Sequence, residues 1–233
     1  MEAVSLAVAL IMVAATAAGC FLFWRYVWFF RNPERNVPSG DNVISPADGT
    51  VVYVKVVPPG EEVVSIKEGM PVRIWDLVRE DTQSPKLVIG IFMSPFDVHY
   101  NRAPISGTVE RIRHYPAAPV NRHMGPMHFR AFFNLPPLYR NSRHVIENER
   151  TVTRIRGQLK RQDIVCYVVQ IAGKNVDGID VFVPEGSRVS KGEIFGMIRI
   201  GSQVDLVMPN VREASVKVSP GDKVYAGESI LIE

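Results

Sequence analysis

The stretch from Ala3 to Phe23 carries no charged side chain and is almost entirely apolar. Such a run has few ways to fold. In a helix, about 20 apolar residues cross a hydrocarbon core of about 30 Å, and every backbone polar group is satisfied internally. The sequence therefore predicts a membrane-spanning helix. Aromatic and basic residues follow it: Trp24, Arg25, Tyr26, Trp28, Phe29, Phe30 and Arg31. Amphipathic rings prefer the headgroup level, and Arg prefers the cytoplasmic side. Glu2 is the only side-chain charge ahead of the run, while Arg25, Arg31 and Arg35 come after it. That bias predicts a cytoplasmic location for the rest of the chain, tethered to the cell membrane. A cleaved signal peptide needs a basic start, which Met1-Glu2 does not supply. Ala17-Ala18-Gly19-Cys20 has the pattern of a lipoprotein cleavage site, but it lacks that start too, and bulky aromatics follow at once. A monotopic hairpin or interfacial helix is the remaining use of such a segment.

We divide the chain into an anchor and aromatic interface segment, residues 1–30, and one domain, residues 31–233. About 200 residues suffice for a domain with a real core. The composition is 46% hydrophobic and 22% charged, which is globular. The net charge of +3 is mildly basic. No Lys/Arg run is long enough to track phosphates, so no nucleic-acid partner is expected; the mild excess suits an anionic membrane surface. Cys20 lies in the apolar run and Cys166 far beyond it, so no disulfide is expected.

After Pro33 the helical period nearly vanishes. Short β-type runs alternate with turn residues: Thr50–Val57, Lys86–Met93, Ile164–Ala172 and several between Ile194 and Glu233. The spacing predicts a mainly β fold, a sandwich or barrel with a short helix or two. Two internal echoes support it. Gly186-Ser187-Arg188-Val189-Ser190-Lys191-Gly192-Glu193 matches Gly221-Asp222-Lys223-Val224-Tyr225-Ala226-Gly227-Glu228, and Pro46-x-x-Gly49-Thr50-Val51 matches Pro104-x-x-Gly107-Thr108-Val109. The first echo resembles the turn–strand units of biotinyl and lipoyl domains, or it is generic β-turn chemistry. Arg111–Arg143 reads as a long irregular excursion, Pro-rich, with His114, His123 and His128 in it and His144 just past it. Their spacing matches no metal motif, and no metal is expected.

The usual enzyme signatures are missing: there is no P-loop, no GxSxG and no GxGxxG after a strand. Gly201-Ser202 lies between two β-type runs, as a candidate strained turn. If the Ser202 hydroxyl attacks the Gly201 carbonyl, the amide becomes an ester. Elimination then leaves dehydroalanine at 202, and hydrolysis releases ammonia and leaves a pyruvoyl group. Gly-Ser is a common dipeptide, and an ordinary turn explains it equally.

Further segments occur in a fixed order: Arg31-Asn32-Pro33, Ser45-Pro46-Ala47-Asp48-Gly49, Ser94-Pro95-Phe96-Asp97-Val98-His99-Tyr100-Asn101-Arg102, Glu147-Asn148-Glu149-Arg150, and Gly196-Met197-Ile198-Arg199-Ile200-Gly201-Ser202-Gln203-Val204-Asp205. Together, from about Phe29 to Pro209, they resemble the phosphatidylserine decarboxylase family, especially its short bacterial and archaeal form. The resemblance implies cleavage between Gly201 and Ser202 into a β chain (residues 1–201) and an α chain (202–233) that stay together. It implies a covalent pyruvoyl cofactor made from Ser202, and decarboxylation of a membrane phospholipid with a serine headgroup, phosphatidylserine or archaetidylserine, through a Schiff base to the ethanolamine form. Asp48 and His99 match the family's residues that assist the serine. Asp97 either orients His99 or forms the turn after Pro95.

The sequence departs from the family pattern in three places. Arg102 stands where longer members carry a second His, Lys174-Asn175 where short members have Arg-Arg, and Gln203 where they have Arg after the serine. A relative without activity is compatible with these changes. A reading from another class is a membrane-tethered carrier or adaptor with a lipoyl-like domain, but a carrier needs a Lys at a hairpin tip and Val207-Met208-Pro209-Asn210 offers none. Exposed strand edges are compatible with a homodimer.

Overall fold

The computed structural model describes residues 2–67, 70–80, 83–174, 178–199 and 202–233. Two compact units divide between Pro33 and Glu34. The first contains helix α1 (Glu2–Phe23), continued by a π-helical segment from Trp24 to Trp28. Val4–Trp28 is, among the described residues, the one helix long and apolar enough to cross a membrane, with mean hydropathy 2.4. None of that stretch is buried.

The second unit, Glu34–Glu233, is mainly β, as the turn spacing predicts. It begins with strands β1 (Val43–Ile44), β2 (Gly49–Val57), β3 (Glu62–Lys67) and β4 (Met70–Arg73), then helix α2 (Ile74–Val78), β5 (Lys86–Met93), β6 (Tyr100–Arg102) and β7 (Gly107–Tyr115). Helices α3 (Gly125–Phe132) and α4 (His144–Glu147) come next, followed by β8 (Arg150–Leu159), β9 (Gln162–Ala172), β10 (Ile179–Val181), β11 (Arg188–Val189) and β12 (Ile194–Ile198). The chain ends with β13 (Ser202–Pro209), β14 (Lys223–Val224) and β15 (Ile230–Ile232).

Eight strands form one antiparallel sheet in the order β11-β7-β8-β9-β13-β5-β2-β14. Core clusters lie on both of its faces. One joins Val51, Ile89, Ile91, Val204 and Leu206 to Phe195, Ile198, Leu231 and Ile232 of the small sheets β10-β12-β6 and β1-β15. The other joins Val52, Val88, Tyr167 and Val207 to Leu77 of α2, Met127 of α3, Val145 of α4 and Val64 and Val72 of the β3-β4 hairpin. A strand covered on both faces needs apolar side chains at every position. This is why Leu87–Met93 reads as an unbroken run and Ile164–Ala172 as one interrupted only by Gln170, rather than as alternating ones.

The two sequence echoes prove to be one structural repeat. Arg188-Val189 pairs with Thr108-Gly107, and Lys223-Val224 pairs with Thr50-Gly49 in the same register. The Gly186 and Gly221 amides donate to Val109 O at 2.7 Å and to Val51 O at 2.8 Å. A Cβ on Gly49 would collide with Phe92 O, and one on Gly107 with Arg156 O. These close backbone approaches, one per repeat, are what the matched glycines permit.

One expectation needs correction. Arg111–Tyr115 continues strand β7, and α3 occupies eight residues of the supposed excursion, so Arg111–Arg143 is only partly irregular. Ser202 is the first residue of strand β13; the turn expected at Gly201-Ser202 falls on Gly201, outside the described residues. Cys20 and Cys166 are both free.

A tight packing point lies where strands β2 and β5 meet. A Cβ at Gly90 would come within 2.4 Å of the ring of the buried Tyr53. Gly90→Ala should therefore displace that ring and lower unfolding free energy by about 1–3 kcal/mol, measured by denaturant unfolding of the detergent-solubilised protein.

Candidate active site around Ser202

Ser202 opens β13, opposite Met93 of β5 on one side and Ala172 of β9 on the other. It is fully buried, and its hydroxyl donates to Met93 Sδ at 3.3 Å. Met93 Sδ also lies 3.8 Å from Asn101 Nδ2, whose amide reaches Pro46 O at 3.4 Å. Asn101 Oδ1 accepts from Gln170 Nε2 at 2.8 Å. The segments carrying the sequence-predicted residues thus converge on the start of β13. The Arg102 amide donates to Pro46 O at 3.0 Å, tying the His99–Arg102 segment to the one holding Asp48. His99 is fully buried, and its carbonyl accepts from Ile198 N at 3.3 Å, on the strand that leads toward Ser202.

Asp48 is 5% exposed. Arg35 Nη2 donates to both of its carboxylate oxygens, at 3.0 and 2.9 Å, and the Ala226 amide donates to Oδ1 at 2.7 Å. Burial raises the Asp48 pKa, against the opposing pull of the Ala226 amide and the Arg35 guanidinium. The repeat separates two duties of this side chain. In the other half the equivalent position is Ser106, whose Oγ accepts from the Lys191 amide at 2.9 Å, and Lys191 is the counterpart of Ala226. Capping that turn is therefore a structural task common to both halves. The negative charge and its Arg35 partner belong to the Ser202 half alone. Arg35 also reaches Glu228 at 3.1 Å.

Arg102 donates to Gly192 O at 2.8 Å, and burial together with nearby Arg35 lowers its pKa. It takes part in this charged cluster as a cation. Asp97 behaves as the turn residue after Pro95: its Oδ2 accepts from the Ser94 amide at 2.7 Å, and Lys223 approaches its other oxygen at 3.7 Å. Glu147-Asn148-Glu149-Arg150 closes the far side. Asn148 Nδ2 donates to Ala172 O at 2.6 Å, and the Ala172 amide donates to Glu149 O at 2.9 Å, so this motif fastens the strand residue that pairs with Ser202. Among the described residues there is no cluster of His, Cys, Asp and Glu suited to a metal ion.

A second polar group was not foreseen from the sequence. Successive side chains alternate across a strand, so Gln203 and Asp205 point away from Ser202 into the other core layer. Gln203 Nε2 donates to Tyr53 Oη and to Asp205 Oδ1, both at 2.7 Å, and Tyr53 Oη donates to Asp205 Oδ1 at 2.8 Å. His144 Nε2 lies 3.0 Å from Gln203 Oε1. An amide oxygen only accepts, so Nε2 carries the proton. The departure from Arg at position 203 thus comes with a histidine that holds its replacement. All four residues are buried, and among the described residues Asp205 Oδ2 and His144 Nδ1 have no hydrogen-bond partner.

The site is a buried, strand-initial serine in a mainly β domain, with the segments of Pro46, Asn101 and Asn148 bonded around it. Comparison with known proteins shows the family of the chain. The model of the family "Phosphatidylserine decarboxylase" matches residues 22–232. A Methanocaldococcus jannaschii protein provisionally assigned as an archaetidylserine decarboxylase proenzyme is 36% identical over 92% of this chain and 92% of its own length. The phosphatidylserine decarboxylase proenzyme of Novosphingobium aromaticivorans is 34% identical over 91% of this chain and 73% of its own, and that of Streptomyces coelicolor 35% identical over 86% and 69%. The chain belongs to the phosphatidylserine decarboxylase family, whose members are carboxy-lyases.

The buried group on the far face of β13 makes a testable demand on pH. Burial raises the Asp205 pKa to about 6, against the hydrogen bonds from Gln203 and Tyr53. Burial lowers that of His144 to about 4, against the bond to Gln203. Between the unfolded Asp value and about 6, the folded state holds a proton that the unfolded state has released, so Asp205 makes stability fall as pH rises. Between about 4 and the unfolded His value the unfolded state holds the extra proton, so His144 makes stability rise with pH. The two oppose each other in the wild type. Asp205→Asn should steepen the rise of Tm from pH 4 to 6.5, and His144→Leu should turn it into a fall. Thermal unfolding across that range checks both signs.

Proposed function

We propose that the chain is a proenzyme that cuts itself between Gly201 and Ser202 and then decarboxylates a serine-headed membrane phospholipid. The observation that carries this reading is the placement of Ser202: a buried, strand-initial serine, paired on both sides, where the motifs of a decarboxylase family meet. The relatives' names as proenzymes support a processing step.

In the proposed cut, the Ser202 oxygen bonds to the carbonyl carbon of residue 201 as the C–N bond breaks, giving an ester and a free amine at 202. Loss of the Ser202 α proton expels the residue 201 carboxylate and leaves dehydroalanine. Its imine form takes up one water and releases ammonia, leaving the pyruvoyl group on residue 202. His99 is the candidate that moves protons in this sequence, and buried Asp48 is the candidate that supports it through the charged cluster with Arg35. The surroundings of Ser202 suit such a group. Pairing of β13 with both neighbours would keep the new chain end in register without its covalent link, and the start of the strand is shielded from water, which favours one productive geometry. Once formed, the group supplies a carbonyl that binds the substrate amine and accepts the electron pair left by departing CO2.

On this reading residues 1–30 anchor the protein in the cell membrane, and residues 31–233 form the catalytic domain on the cytoplasmic side. The β chain ends at 201 and the α chain runs from 202 to 233. The substrate is phosphatidylserine or archaetidylserine, which share the reacting headgroup.

Ser202→Ala should abolish both self-cleavage and release of CO2 from a carboxyl-labelled serine phospholipid, while leaving the fold intact by circular dichroism. Ser202→Ala protein that still decarboxylates the lipid would refute the mechanism.

A further inference from the structure

Four phenylalanine rings stand exposed on one surface of the domain. Phe129, Phe132 and Phe133 are 57%, 76% and 56% exposed, and Phe96 is 67% exposed. The Phe133 ring centroid lies 4.7 Å from that of Phe129 and 4.9 Å from that of Phe132. Phe132 and Phe96 line a shared cavity of about 220 Å³, together with Phe92, His128 and Lys223. Single exposed rings are ordinary on protein surfaces, whereas a contiguous apolar shelf marks an interaction site. The shelf is also fixed in place. Helix α3 is seated by buried Met127 and Met124, and His128 packs edge-on against Phe92 at 5.8 Å.

The position of the shelf relative to the sheet is informative. Phe92 pairs with Gln203 and Met93 with Ser202, so the cavity floor belongs to the end of the sheet where β13 begins. Basic side chains accompany the rings: Arg130 in the last turn of α3, and Lys223 at the cavity with its ammonium 3.7 Å from Asp97. Aromatic rings beside cations are the composition of a surface that settles at the headgroup level of an anionic bilayer. The same chain carries an exposed apolar helix of spanning length.

We propose that Phe96, Phe129, Phe132 and Phe133 form a membrane-docking face that enters the headgroup–acyl boundary and brings the start of β13 to the lipid surface. This rests on the decarboxylase reading and adds to it a surface, apart from the N-terminal helix, whose partner is the bilayer. The cations accompanying the rings complement lipid phosphates, and the rings replace water with acyl chain.

The test uses the full-length protein carrying Phe129→Ser and Phe133→Ser, two rings that do not line the cavity. The substrates are a long-chain serine phospholipid in phosphatidylcholine vesicles and a short-chain serine phospholipid dissolved as monomers. kcat/KM on the vesicles should fall at least about tenfold, while that on the monomeric lipid and the extent of self-cleavage stay at the wild-type level. Equal loss on both substrates, or loss on neither, would overturn the docking face. A second readout is independent of activity. In vesicles containing brominated lipid, a Phe133→Trp variant should show quenching beyond that of the wild type; quenching equal to the wild type's would refute the proposal even if turnover changed. If the double variant instead turns an oligomer into a monomer, the shelf is an interface between copies and the bilayer assignment falls. Wild-type protein inert toward both lipids would refute the decarboxylase reading, and the quenching experiment would still judge the docking face.

Discussion

The pairing of β13 between β5 and β9 is the constraint on which the rest of the structure depends. Eight consecutive residues of β13 pair with β5, and the first six also pair with β9. A strand so placed is paired on both sides over its first six residues and covered on both faces, and it cannot slip by one residue without reversing all its side chains. That fixed register sets the positions of Ser202 and Gln203 against opposite core layers. It also suits the cut proposed just before this strand. The strand's hold on the sheet comes from its neighbours and not from its covalent connection to β12.

The two faces of β13 have different chemistry. On the Ser202 side the partners are a thioether, two carboxamides and, farther along the same segments, a buried Asp–Arg pair. On the other side Gln203 and Asp205 sit in a closed group with Tyr53 and His144. Burying so many polar groups is costly unless they bond to one another, and here most do. The group pins the second residue of the strand, adjacent to the serine whose placement matters most. The repeat sharpens the contrast. Both halves use the same Gly-Thr pairing and the same capped turn, yet only one half replaces the capping Ser with a charged Asp held by Arg35. The charged pair sits on one copy of a repeated scaffold.

Much of this was legible in the sequence because it depends on local signals. The apolar N-terminal run specifies a helix by length and lack of charge. Thr50–Val57, Lys86–Met93 and Ile164–Ala172 specify buried strands by continuous β-type composition between turns. The echoed glycine motifs foretold a repeat, though not that the two echoes pair with each other. Ser202, His99 and Asp48 could be picked out because their motifs occur in a recognisable order. The Tyr53–Gln203–Asp205–His144 group escaped because its members are up to 152 residues apart and share no pattern; only folding brings them together. Arg35 was seen as one of the positive charges after the anchor, whereas its role is to pair with Asp48. Helix α3 escaped because the Pro and His residues around it suggested irregular chain.

The central claim is that the chain carries a break at the start of strand β13. Mass spectrometry of one purified preparation, first under native and then under denaturing conditions, tests this most directly. The account predicts a single native species that separates on denaturation into a large piece ending at Gly201 and a small piece spanning residues 202–233, the latter with a blocked, carbonyl-reactive N terminus. An active preparation that denatures to one uncut chain of full mass would contradict it.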